Sequence, residues 1–281
     1  MDSQGLTERP GLPTLLGVRY DGSSSFVRGA AEGPLAIREA ISAPSSNPWT
    51  VAGADLGSRA VLDDAGDLTP ASGEAGRASI TARVSELLAG SRLPVVLGGD
   101  HSITYPVLRA FRAHHPRLTL LHFDAHADLY DRFDGDPYSH ACPMARIMEE
   151  GLADRLIQVG IRTLSPDQRE QAERFDVDLR EMHHWRGPEP IRLDDPVYLS
   201  LDLDVLDPAF VTGIAHPEPG GLSVAELVGQ LREVEARVVG VDLVELNPRL
   251  DPSGRSGLVA VKLLKSLVDL LRRSNHSRET S

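Results

Sequence analysis

Short apolar runs recur along the chain, and three of them stop directly at glycine or at acidic side chains. They cover residues 15–18, 93–97, 118–123, 156–160, 197–201 and 238–243. Continuous runs of this length, bounded so sharply, predict strands buried on both faces. Between them lie segments with apolar residues at helical spacing, at 29–41, 80–88, 105–114, 141–150, 166–175, 224–235 and 258–271. Pro34 falls near the start of the first of these, where a proline suits a helix. Residues 42–76 are rich in Ser, Pro, Gly and Asp and read as irregular surface. Strands alternating with helices predict an α/β fold: a three-layer αβα arrangement with a mostly parallel central sheet. No linker or shift of composition divides the chain, so we expect a single domain over 1–281, with a core at about 14–272 and flexible tails.

In sheets of this kind, sites form at the carboxyl ends of strands. Three polar clusters stand there. Gly98-Gly99-Asp100-His101-Ser102 follows one run, Asp124-Ala125-His126-Ala127-Asp128 a second, and Asp202-Leu203-Asp204-Val205-Leu206-Asp207-Pro208 a third. Ionised carboxylates at the ends of buried strands are costly unless something compensates them, and divalent cations would do so. In extended chain, residues two apart point the same way. Asp124, His126 and Asp128 can therefore converge, as can Asp202 and Asp204, and with His101 they make six ligands. Carboxylates can bridge, so six residues can fill two metal sites and leave room for a shared water. One Asp-x-His pair alone would ordinarily be a cap or an ion pair; three clusters at three strand ends are not so explained. With no thiolate in the set, structural zinc is disfavoured, while Mn, Fe, Co, Ni and Zn all remain open.

Composition narrows the partners. The net charge is −12 and the pI about 5.3, which gives no electrostatic case for binding nucleic acid, though it suits a cationic substrate. No run of about 18 apolar residues occurs, so no membrane span is expected. The first residues lack the basic and apolar regions of a signal peptide, and a single cysteine, Cys142, fits a reducing cytoplasm.

At the three clusters the chain resembles the ureohydrolases, the family of arginases, agmatinases, guanidinobutyrases and proclavaminate amidinohydrolase. The likeness extends over residues 26–41 and 240–248 and covers roughly 14–272. Tyr138-Ser139-His140-Ala141, residues 145–148 and 158–162, and 216–223 are similar to the branch that holds bacterial agmatinases and plant-type arginases. Ile214-Ala215-His216 and Ala141-Cys142 depart from the common agmatinase pattern towards the plant type. The resemblance implies an arginase-type fold, two Mn²⁺ per chain, and trimers or hexamers. It implies hydrolysis of the guanidino group of L-arginine or agmatine to urea plus ornithine or putrescine, by attack of a metal-bridging hydroxide. It also implies that His101, Asp124, His126, Asp128, Asp202 and Asp204 hold the metals. By the same likeness His140 assists proton transfer, Asp128 relays a proton, and Glu245 binds the substrate guanidinium.

Three other readings compete: a ureohydrolase of another guanidino compound such as 4-guanidinobutyrate, a single-zinc deacetylase, and a non-catalytic metal-stabilised protein. Several residues are expected to be structural. His114, His115, His183, His184 and His276 read as surface, His122 as core, and Cys142 as a packed apolar group. Gly220-Gly221 reads as a turn, Asp207-Pro208 as a strand stop, and Asp100 as an orienting group. His216 sits in a loop and also reads as structural. Substrate choice is expected to lie in loops 129–139 and 162–166.

Overall fold

The structure, a computed structural model, describes residues 10–276. All six apolar runs form strands. In chain order the strands are β1 (Pro13–Val18), β2 (Asp63–Leu68), β3 (Leu93–Leu97), β4 (Thr119–Phe123), β5 (Arg155–Val159), β6 (Asp178–Arg180), β7 (Ile191–Arg192), β8 (Val197–Asp202), β9 (Val234–Glu235) and β10 (Val238–Val244). Eight of them make one sheet in the order β2-β1-β3-β10-β8-β4-β5-β6, and every pairing in it is parallel. β7 and β9 form a separate two-stranded pair.

The unbroken apolar runs have a simple cause: both faces of the sheet are covered. The helices are α1 (Gly33–Ser42), α2 (Glu74–Ala89), α3 (Thr104–His114), α4 (Pro143–Glu149), α5 (Pro166–Arg174), α6 (Val224–Arg232) and α7 (Arg255–His276). Val95, Leu97, Leu121, Phe123, Leu199 and Leu201 point into a core shared with α1, α6 and α7. Val96, Leu120 and Tyr198, their neighbours along the same strands, point into a second core shared with α2, α3 and α4. Alternation of side chains along a strand thus feeds two hydrophobic layers at once. This is the three-layer α/β architecture expected from the sequence.

Three expectations need correction. Residues 42–76 are not wholly irregular, because β2 lies within them and α2 already starts at Glu74. β2 reads Asp-Asp-Ala-Gly-Asp-Leu, which has no apolar signature. It is an edge strand held by backbone pairing to β1, with Arg38 of α1 clamping Asp64 and Asp67. The segment 178–180, also unsignalled, adds β6 at the opposite edge. The tail from Arg272 is helical as far as His276, where Asn275 donates a hydrogen bond to the carbonyl of Val238. The remaining tail residues, and the side chain of His276, lie outside the described part.

Candidate metal centre and substrate pocket

Four neighbouring strands, β3, β10, β8 and β4, end at the same edge of the sheet and carry the polar groups there. The turn after β3 brings His101 back over that edge. Its tightness depends on Gly99: a Cβ at this position would lie 1.7 Å from the carbonyl oxygen of Tyr20. Asp100 caps the short helical turn that follows, accepting from the Ser102 amide at 3.1 Å and from the Ser23 amide at 2.8 Å. That is the orienting role expected of it.

All six expected ligands meet here. His101 Nδ1 lies 3.1 Å from Asp124 Oδ2, 3.1 Å from Asp128 Oδ2 and 3.2 Å from Asp202 Oδ2. His126 Nδ1 lies 2.9 Å from Asp204 Oδ2 and 3.5 Å from Asp124 Oδ1. Asp124 therefore turns one oxygen to each imidazole, as a carboxylate shared between two cations would. Asp202 and Asp204 stay in register because Asp202 Oδ1 accepts the Asp204 amide at 2.8 Å.

The groups around this cage hold its donor atoms in place. His101 Nε2 meets Ser200 Oγ at 2.9 Å, and Ser200 Oγ donates to Asp242 Oδ1 at 2.6 Å. Since the serine proton goes to Asp242, Ser200 must accept from His101, so the proton sits on Nε2 and Nδ1 presents its lone pair to three carboxylates. That nitrogen is buried and makes no hydrogen bond. A lone pair facing three acidic oxygens is repulsive unless a proton or a cation lies between them, and the donor set of imidazole and carboxylate fits Mn-type cations. His122 is fully buried, as expected. Gln158 donates to its Nδ1 at 2.8 Å, and its Nε2 donates to Asp124 Oδ2 at 2.8 Å. Both of its nitrogens are thereby engaged in orienting Asp124.

Charge balance points the same way. Burial and the neighbouring carboxylates push Asp202 well above the usual carboxylate range, and the same causes lift Asp204 to about 6. Burial opposes the charged form of His126, but Asp204 and Asp124 outweigh it and raise the ring to about 12. Cation binding must displace protons held this way, so loading weakens as pH falls. Apparent affinity for Mn²⁺ is expected to drop about tenfold per pH unit for each displaced proton, between about pH 8 and pH 6. Titration calorimetry in buffers of different ionisation enthalpy counts those protons; heats independent of buffer would contradict this.

Above the cage a cleft opens. His140 and Glu245 stand on its wall, with His140 Nδ1 3.0 Å from Glu245 Oε1. Glu245 Oε1 also accepts the His101 amide at 2.9 Å. Burial would push the Glu245 carboxyl up, but the hydrogen bond and charge of His140 and the His101 amide keep it below its usual range. Burial opposes the His140 cation too, yet Glu245 lifts it to about 9. Asp128 and Glu245 hold left-handed backbone, with φ of 51° and 65°. For residues other than glycine this costs about 1–3 kcal/mol each and is tolerated where geometry matters.

The two expected loops do line the cleft, through Tyr130 and Phe133 from one and Thr163 from the other. The sequence reading missed Ser25, Gln168 and the face made by Ile214, Ala215 and His216. It also missed Arg162, whose guanidinium donates to the carbonyls of Asp204 and Glu218, each at 2.6 Å, and so pins the loop after β8. Cys142 is buried, and burial pushes its thiol up to about 12, as befits a packed group and not a nucleophile.

A parallel α/β sheet with a carboxylate–imidazole cage at adjoining strand ends defines the class of metal-dependent hydrolases. The chain belongs to the arginase family, whose pattern it matches over residues 13–269. It is 43% identical to Arginase 1, mitochondrial, of Arabidopsis thaliana over 272 residues, which are 90% of this chain and 79% of that one. It is 39% identical to the N(1)-aminopropylagmatine ureohydrolase of Thermus thermophilus, covering 83% of this chain and 82% of the relative. The arginase of Medicago truncatula superposes with a TM-score of 0.87 at 39% identity, over 92% of this chain and 87% of that one. Among the described residues no helix is long and apolar enough to cross a membrane.

Proposed function

We propose that this chain is a binuclear manganese amidinohydrolase that splits the guanidino group of L-arginine or agmatine into urea and ornithine or putrescine. The observation that carries the reading is the placing of the Glu245 carboxylate and His140 on the wall of a cleft floored by Asp124, His126, Asp128, Asp202 and Asp204, with His101 buried beneath them. His101, Asp124, Asp128 and Asp202 would hold one cation, and His126, Asp124 and Asp204 the other. Such a pair supplies an activated water as nucleophile at neutral pH.

The protein groups do the rest. Glu245, held ionised, grips the planar guanidinium through paired charge-assisted hydrogen bonds. This sets the guanidinium carbon over the cage. As the C–O bond forms and the bond to the alkyl nitrogen breaks, that nitrogen must leave as an amine, and His140 delivers the proton. Asp128, itself part of the cage, would take up the proton released by the nucleophile. Water supplies the urea oxygen, so the atoms balance without any further reactant.

Two features favour this reading over its rivals. A single-zinc deacetylase would need neither the His101 arm nor the shared Asp124, and a non-catalytic protein would need no ionised carboxylate facing an open cleft. We further propose that the chain forms one domain, acts in a reducing cytoplasm and assembles as a trimer or hexamer. The buried free thiol of Cys142 is consistent with that compartment. Urea release from L-arginine and agmatine after Mn²⁺ loading is the direct test. Within it, His140→Asn is expected to lower kcat by about 10²–10⁴-fold while metal content stays unchanged. Unaltered turnover in that variant would remove His140 from the proton-transfer role.

A further inference from the structure

His140 is held at both nitrogens. Its Nδ1 faces Glu245, and its Nε2 lies 2.8 Å from Ser25 Oγ. Ser25 Oγ in turn lies 3.3 Å from His216 Nε2. The His140 and His216 rings pack with centroids 4.8 Å apart, and the outer face of His216 meets Phe26 at 6.0 Å. The proton directions follow. In the proton-donating form proposed for it above, His140 carries protons on both nitrogens, so Ser25 accepts from Nε2. Ser25 has one proton of its own, and His216 Nε2 is the acceptor within reach.

Substrate makes this chain matter. Glu245 Oε1 already serves the His101 amide and His140. A guanidinium that takes both oxygens of Glu245 competes with those bonds. The amide is fixed in the backbone, so the bond to His140 is the one that yields. The ring is then free on its inner side and tethered on its outer side alone.

We propose that Ser25 and His216 are positioning residues for His140: His216 orients the Ser25 hydroxyl, Ser25 holds Nε2, and the ring keeps its Nδ1–H aimed into the pocket once a guanidinium occupies Glu245. The inference rests on the guanidino-hydrolase reading for its consequence, though not for its geometry.

The test uses the Mn²⁺-loaded enzyme with Ser25→Ala, Ser25→Thr, His216→Phe and the double variant Ser25→Ala/His216→Phe. Phenylalanine keeps an aromatic ring against Phe26 and removes the acceptor. Ser25→Ala and His216→Phe should each lower kcat about tenfold with KM changed less than about twofold, because orientation and not substrate binding is lost. The double variant should be no slower than the slower single one, since both cut one serial chain. Ser25→Thr should retain most of kcat. Losses that multiply, a loss confined to KM, or an unchanged Ser25→Ala would overturn the proposal. Ring-nitrogen NMR of the metal-free protein separates it from the question of substrate. His216 should carry its proton on Nδ1, and this preference should weaken in Ser25→Ala. A proton on Nε2 of His216 would refute the chain even in an enzyme active on guanidines, and its presence on Nδ1 would sustain the chain even if no guanidine were hydrolysed.

Discussion

Asp124→Asn is expected to lower kcat/KM by at least about 1,000-fold and to strip metal from the protein, because loss of the metal's transition-state stabilisation is worth several kcal/mol. Asp124 is the one side chain that faces both His101 and His126, with Oδ2 3.1 Å from the first and Oδ1 3.5 Å from the second. Its amide replacement would keep the volume but remove the shared negative charge. It would also place an NH₂ group against either His101 and His122 or the His126 amide, which donates to Oδ1 at 2.6 Å. Neither orientation of the amide satisfies all its neighbours. Metal analysis after dialysis should therefore find fewer cations per chain, in parallel with the fall in turnover. Full metal content with full activity would show that Asp124 is not a shared ligand.

Glu245→Gln should also lower kcat/KM, by about 100-fold or more, with the metal still in place. The reasoning is different. Glu245 is buried and ionised, and among the described residues no second carboxylate outside the cage lines the cleft. A hydrogen bond to a charged group contributes about 1.5–3 kcal/mol; glutamine keeps one acceptor, so a guanidinium would lose one such bond outright and the carboxylate charge behind the other. The His140 ring would also lose the partner that holds it charged, so it should titrate below about 9 in the variant. The pair of variants thus separates binding of metal from binding of substrate. Equal metal loss in both would mean that Glu245 supports the cage and not the guanidinium.

The contrast between those two carboxylates shows what a sequence can and cannot reveal. The Asp124 segment is legible because strand geometry translates spacing into direction: residues 124, 126 and 128 leave the end of a buried strand on alternate positions. The same holds for Asp202 and Asp204, and the six apolar runs are legible because strands covered on both faces have no polar alternation. Glu245 and His140 carry no such signal. They meet at 3.0 Å although they are 105 residues apart, and only family likeness pointed to either. Ser25 and His216 are further removed still, on loops with no periodicity. β2 and β6 were missed for a related reason. Edge strands are held by backbone hydrogen bonds and salt bridges such as those of Arg38, which leave little hydrophobic pattern. His122 reads as core from the sequence, and it is buried; its task of orienting Asp124, with Gln158 behind it, could be seen only once the strands β4 and β5 were side by side.

In the proposed function, six residues hold two cations beneath a guanidinium gripped by Glu245. The most direct test loads the purified protein with Mn²⁺, counts metal per chain, and measures urea from L-arginine, agmatine and 4-guanidinobutyrate in the same samples. The expected result is about two Mn per chain, with urea released from arginine or agmatine in proportion to metal content. A single zinc per chain, or two Mn with no urea from any guanidino compound, would contradict it.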